Sequence, residues 1–117
     1  MTPVRPLTAQ EREVLRAVVL SAVRQDALSV RAALLAQVDA AQVIGPSCPC
    51  GCASLAVAVD RSAAPPVALP RLEADAVVDD ETVGFIVWLD DGYLVDVEIF
   101  GYGDADDSVW PPATLIR

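Results

Sequence analysis

Residues 83–100 read VGFIVWLDDGYLVDVEIF, and this stretch decides the fold. Two runs rich in β-branched and aromatic residues flank the dipeptide Asp91-Gly92. Asp-Gly between such runs is typical of a two-residue hairpin turn, because both residues of that turn must tolerate positive φ. The stretch therefore predicts an antiparallel β-hairpin that closes at this dipeptide.

The expected register of this hairpin assigns its side chains to two faces. We start from Asp90 opposite Tyr93, since side chains alternate between the faces of a strand. One face then carries three cross-strand pairs: Trp88 with Val95, Ile86 with Val97, and Gly84 with Ile99. We expect this face to be buried.

The other face of the hairpin carries apolar side chains interrupted by two carboxylates. Its predicted partner-binding residues are Phe85, Asp96, Glu98 and Phe100. A fully solvated sheet face is normally more polar than this one, so we expect it to be covered. The alternatives are cover by tail residues 109–112, by a second copy in a homodimer, or by a protein partner.

The first 40 residues carry the patterns of two helices. Thr8 and Glu11 have the spacing of a capping box, and apolar residues between positions 14 and 23 recur on one helical face. A second helix is predicted from residues 26–29 to about residue 40, with apolar side chains four residues apart. Together they predict a helical hairpin or one bent helix.

Two further strands are predicted between the helices and the hairpin. Residues 55–59 and 72–78 alternate in polarity or size, whereas residues 61–71 contain three prolines and predict a surface loop. We expect residues 1–117 to form a single α+β domain. In it, an N-terminal helical hairpin packs on an antiparallel sheet of about four strands.

Charge is distributed unevenly along the chain. The net charge is −9, and all eight basic residues are arginine. Residues 1–59 carry a charge of +1 and residues 60–117 a charge of −10. An acidic surface repels phosphate backbones, so we expect no nucleic-acid partner and instead a basic protein partner.

The composition also limits the cellular locations and the kinds of catalysis that we expect for this protein. No apolar run reaches the ~18 residues that a membrane span needs, and the first residues do not resemble a signal peptide. We therefore expect a cytoplasmic protein without a membrane partner. The chain has no histidine, and its six glycines form no phosphate-binding loop. A non-enzymatic binding protein is the resulting prediction.

Cys48, Cys50 and Cys52 alternate with Pro49 and Gly51. As small buried apolar residues beside a turn, the three cysteines would have a structural role. As thiolates they would form part of a zinc site, whose fourth ligand would be an Asp, a Glu, water or a thiolate of a second subunit. Redox chemistry is the third alternative. We expect no cofactor unless the zinc interpretation holds.

The Cys50-Gly51-Cys52 turn after two helices, followed by the hairpin from Asp91-Gly92 through Glu98, resembles a family of small uncharacterised proteins from high-GC bacteria. The resemblance covers most of residues 8–117. It implies the same α+β fold and no particular activity.

These observations lead to two functional predictions. The first is a small regulatory protein, similar in role to an immunity protein or an antitoxin, that binds a basic protein through its acidic sheet half. The second is a metal- or thiol-based module centred on Cys48, Cys50 and Cys52.

Overall fold

The protein folds as two helices against one face of an antiparallel sheet. The computed structural model describes residues 4–47, 49 and 51–117. Within these residues the helices are α1 (Ala9–Ala22) and α2 (Leu28–Asp39). The strands are β1 (Arg5–Pro6), β2 (Ala41–Pro46), β3 (Leu55–Val59), β4 (Arg71–Val78), β5 (Glu81–Asp90) and β6 (Tyr93–Gly101). They are arranged in the order β1-β2-β3-β6-β5-β4, and a 3-10 turn spans Ala113–Leu115.

The α+β class predicted from the sequence is confirmed, and the sheet is larger than predicted. The four predicted strands are β3 to β6, and the described chain adds β1 and β2 to make six. β1 has only two residues and contains a proline, while β2 follows directly on α2 and ends in Gly45-Pro46. β1 is too short to show a pattern, and β2 alternates buried and exposed residues only from Ala41 to Ile44, so neither was recognised as a strand.

Helix α1 begins with the predicted capping box. The Thr8 hydroxyl accepts a hydrogen bond from the Glu11 N–H (3.1 Å), and Glu11 Oε1 accepts one from the Thr8 N–H (2.8 Å). Arg5 also donates to both carboxylate oxygens of Glu11 at 2.8 and 2.9 Å. The Arg5 hydrogen bonds lower the pKa of Glu11. The same carboxylate thus caps α1 and ties β1 to it.

A β-bulge changes the register of the hairpin between Trp88 and Leu89. Leu89 pairs with Leu94 next to the turn, but Trp88 pairs with Asp96, so Val95 is an extra residue on β6. The turn itself is as predicted, with positive φ at Asp91 (53°) and Gly92 (85°). The predicted pairing of Trp88 with Val95 is therefore wrong, although the turn that was used to derive it is right.

The bulge also changes which side chains of β5 and β6 share a face. Because side chains alternate along a strand, one extra residue on β6 shifts its pairing with β5 by one position, so each later β6 side chain shares its face with a different set of β5 side chains. Phe85 and Val87 now face the helices and are each 1% exposed, opposite Ile99 and Val97. Trp88 lies on the face turned away from the helices and is only partly buried. The predicted buried face is therefore right for β6, where Val97 and Ile99 are buried, and wrong for β5, where Trp88 faces outward and Phe85 is buried.

The C-terminal tail packs on the helix side of the sheet. The Trp110 ring meets Phe85 edge-on with centroids 5.8 Å apart, and its Nε1 donates to the Ala53 carbonyl (2.9 Å). Beyond the 3-10 turn, the backbone of Arg117 exchanges hydrogen bonds with Asp75 at the free edge of β4. The tail thus covers the face that contains Phe85, as predicted, but that face is the core side. On the opposite sheet face, the Arg117 side chain binds Asp75 at 2.8 Å beside Gly84 and Phe100.

Gln37 on α2 is completely buried and fully hydrogen-bonded. Its Nε2 donates to the carbonyls of Pro65 and Gly92, each at 2.9 Å, and its Oε1 accepts from the Leu94 N–H at 3.0 Å. One side chain therefore fixes α2 to the hairpin turn and to the proline-rich loop. In the described part of the chain, neither helix is long and apolar enough to span a bilayer.

Candidate functional site

The sheet face turned away from the helices carries the candidate site. Cross-strand pairs on β5 and β6 place its central residues together: Trp88 opposite Asp96, Ile86 opposite Glu98, and Gly84 opposite Phe100. We define the outer patch as Ile86, Trp88, Asp96, Glu98 and Phe100, all of which are partly exposed. Three of the four predicted partner-binding residues thus lie together, and Phe85 is excluded because it faces the core.

The ionised form of Asp96 is destabilised in the outer patch. Its Oδ1 is covered and has no hydrogen-bond partner among the described residues. Burial raises the pKa of Asp96, a hydrogen bond from the Ser47 side chain lowers it, and the charge of Glu98 raises it again. A carboxylate that is partly desolvated and close to a like charge is destabilised in its ionised form. Such groups are frequent at functional sites.

Glu98 is held in place by an aromatic donor rather than by a cation. Trp88 Nε1 donates to Glu98 Oε2 at 3.1 Å. The neighbouring acids of β4 are ion-paired, Glu73 with Arg71 at 3.4 Å and Asp75 with Arg117 at 2.8 Å. Among the residues that the structure describes, no arginine lies within 4.0 Å of the carboxylates of Asp96 and Glu98. The outer patch therefore presents two negative charges that are not neutralised.

Phe100 is seated against the backbone of β5. A Cβ atom added to Gly84 would lie 2.5 Å from Cε2 of the Phe100 ring, so the ring fills the place of a side chain. The ring also meets Tyr102 edge-on, with centroids 5.3 Å apart. A glycine inside a strand often marks a close approach to the backbone. This signal was available in the sequence, although the register needed to place Phe100 over Gly84 was not.

An open groove runs beside the outer patch and reaches the cysteine segment. It has a volume of about 340 Å³, and its walls include Cys52, Asp96, Glu98 and Asp107. Cys52 Sγ lies 3.2 Å from the Ser54 hydroxyl. Ser54 is buried, accepts from the Ile99 N–H at 2.9 Å and is 3.3 Å from the Ile99 carbonyl. The chain thus brings Cys52 next to the acidic residues of β6.

The described residues do not test the zinc prediction. Two of the three predicted zinc ligands, Cys48 and Cys50, lie outside the described residues. Among residues 4–47, 49 and 51–117, no group of three or more Cys, Asp or Glu side chains is arranged to hold a metal ion. Metal binding at Cys48, Cys50 and Cys52 stays a prediction.

The contributions of Ser47, Ser54 and Asp107 to this region were not anticipated. They come from three separate segments, and no local pattern in the sequence marks them. A search for similar proteins found no matching family model, no matching curated protein and no matching solved structure. The resemblance to small proteins of high-GC bacteria stays a prediction.

Proposed function

We propose that this chain is a non-enzymatic cytoplasmic protein that binds a basic segment of another protein on the outer patch. Its role would be regulatory, like that of an immunity protein or an antitoxin. The observation that carries the proposal is the pair Asp96 and Glu98, two partly buried carboxylates that have no neutralising cation among the described residues.

Charge complementarity supports a basic partner. An arginine or lysine placed between the two carboxylates would favour their ionised forms and relieve the cost of desolvating Asp96. Trp88 and Phe100 flank these charges on the same face and are the residue types that most often anchor an interface. The Arg71 guanidinium lies 5.8 Å from the centroid of the Trp88 ring, within the range of a cation–π contact, which supports a cation beside this indole.

The same charges disfavour the other occupants of the outer patch. A homodimer through this face would bring together Asp96 and Glu98 of both copies, each copy carrying a net charge of −9. Like charges that face each other in an interface destabilise it by on the order of several kcal/mol. A phosphate backbone would be repelled in the same way.

A comparison of three tagged proteins from the native host tests this proposal. They are the wild type, the site variant D96N/E98Q, and the control variant E13Q/D104N, which removes two exposed acids elsewhere. We expect a basic protein to copurify with the wild type and the control and to be lost from the site variant. Its retention should weaken as salt is raised, because screening reduces exposed charge interactions.

The proposal fails if the site variant retains the same proteins as the wild type. It also fails if the partner that is lost is acidic. A synthetic nine-residue oligoarginine gives a second readout, since its binding should perturb amide resonances of β5 and β6 in the wild type and control only.

A metal- or thiol-based module is the second candidate, and the groove at Cys52 favours it. Asp96 and Glu98 line the same groove, and a carboxylate is one of the fourth ligands that a three-cysteine zinc site would need. Elemental analysis and a thiol count on protein purified without chelator test this candidate. Stoichiometric zinc that is lost in C52S supports it, whereas a metal-free protein with three reactive thiols contradicts it.

A further inference from the structure

Arg12 differs from the other arginines of the chain. Seven of the eight arginines bind a carboxylate or a backbone carbonyl, namely Arg5, Arg16, Arg24, Arg31, Arg61, Arg71 and Arg117. Arg12 makes no hydrogen bond or ion pair to any residue that the structure describes, and its Nε is covered without an acceptor. A partly buried guanidinium without a partner is unusual and calls for a physical explanation.

Arg12 lines a groove between α1 and the ends of β2 and β3. The groove has a volume of about 580 Å³, and its walls include Asp39, Gln42 and Asp60. Much of the remaining wall is made of alanine side chains. It shares no residue with the outer patch, so it is independent of the proposed partner surface.

The groove contains two opposite charges that are not paired with each other. Asp39 is already bound by Arg16 at 3.2 Å. Asp60 has no arginine within 4.0 Å in the described chain, and its carboxylate accepts from the Ser62 N–H (3.0 Å) and hydroxyl (2.6 Å). These hydrogen bonds lower the pKa of Asp60, so it is ionised at neutral pH. The groove therefore offers one unpaired cation and one unpaired anion.

We propose that this groove binds a small zwitterion of the α-amino-acid class. The carboxylate of the ligand binds the Arg12 guanidinium, and its ammonium group binds Asp60. A guanidinium suits a carboxylate because it donates two parallel hydrogen bonds. The alanine-rich wall accommodates a short apolar side chain, while Asp39 and Asp60 repel a dianion such as phosphate.

Titration of ¹⁵N-labelled full-length protein tests this proposal. The ligands are L-alanine, acetate, ethylammonium and inorganic phosphate, each followed by the amide resonances of residues 39–42 and 58–63. L-Alanine should shift these resonances at lower concentration than acetate or ethylammonium. R12Q should weaken L-alanine binding roughly ten- to hundredfold, the value of a charged hydrogen-bonded contact. R24Q is the matched control, because it removes an exposed arginine elsewhere and should bind normally.

Two results would overturn the proposal. One is the absence of shifts at these amides with L-alanine while the spectrum of the protein is that of a folded chain. The other is phosphate or acetate binding that equals L-alanine binding in the wild type. D60N tests the role of Asp60 separately from that of Arg12. It should lower the affinity for L-alanine, because the ammonium group loses its partner, and raise the affinity for acetate, because a negative charge is removed. Unchanged L-alanine binding in D60N would contradict the assignment of the ammonium group.

Discussion

Gly84 and Phe100 lie opposite each other on β5 and β6, and the Phe100 ring occupies the space that a side chain at position 84 would take. Glycine inside a strand normally costs stability relative to alanine, by about 0.5–1 kcal/mol. Here it leaves room for the end of an aromatic ring against the strand backbone in the outer patch. The glycine therefore lowers the intrinsic stability of β5 but gives the outer patch its shape.

A double-mutant cycle tests this relationship. G84A should destabilise the protein by about 1–3 kcal/mol, because the new methyl group displaces the Phe100 ring. In the F100A background the same change should be neutral or stabilising, since the ring is gone and alanine is the better strand residue. Urea unfolding of the four proteins gives the coupling free energy. Additive effects of G84A and F100A would show that the ring does not need the glycine.

Gly92 at the hairpin turn should tolerate a side chain less well than Gly103. Both have positive φ, but a Cβ on Gly92 would lie 2.6 Å from Pro66 Cβ, whereas nothing lies within 4 Å of Gly103. G103A should cost about 1 kcal/mol, the price of backbone strain alone. G92A should cost a further ~1–3 kcal/mol because the proline-rich loop must move. Equal thermal stabilities of the two variants would contradict this contact.

Asp96 should destabilise the fold in its ionised form. Its pKa is raised mainly by burial, so the folded chain holds the proton more tightly than the unfolded chain does. The resulting loss of stability is complete above the folded pKa, and it disappears as the pH falls below the unfolded value of about 4. D96N should therefore stabilise the protein at pH 7, by at most about 1 kcal/mol because solvent screens this partly exposed group, and have no effect near pH 3.

Urea unfolding at pH 3, 5 and 7 measures this difference. E13Q is the control, since it removes an exposed acidic charge from α1. It should shift stability little at any of these pH values. A gain in D96N that does not depend on pH would mean that Asp96 does not titrate differently in the folded chain.

Gln37 should be among the residues most sensitive to substitution. Q37L keeps the volume of the side chain but leaves the Leu94 N–H and the carbonyls of Pro65 and Gly92 without their partner. Buried groups left unpaired cost about 1–3 kcal/mol each, and partial relaxation should limit the total to about 2–4 kcal/mol. Q25L, at an exposed glutamine, is the control and should change stability by less than about 0.5 kcal/mol. Equal stability of Q37L and wild type would contradict the proposed role of Gln37.

Local signals in the sequence determined much of the backbone. The capping box of Thr8 and Glu11 located the start of α1, and Asp91-Gly92 located the hairpin turn. Such signals depend on neighbouring residues and on the φ values that each residue tolerates, so they can be recognised without knowing the fold. Strands β3 to β6 were also predicted from local patterns, and the acidic character of residues 60–117 follows directly from composition.

Only the tertiary structure decided which face of the hairpin is buried. Both faces carry apolar side chains, so their polarity did not distinguish them. Because of the extra residue Val95, the predicted faces were right for β6 and reversed for β5. Gln37 likewise joins α2 to the hairpin, and Cys52 lies in one groove with Asp96 and Glu98, although these residues are distant in the chain. The lack of a partner for Arg12 Nε among the described residues is also a result of packing. These relationships depend on packing between elements, and no local pattern encodes packing.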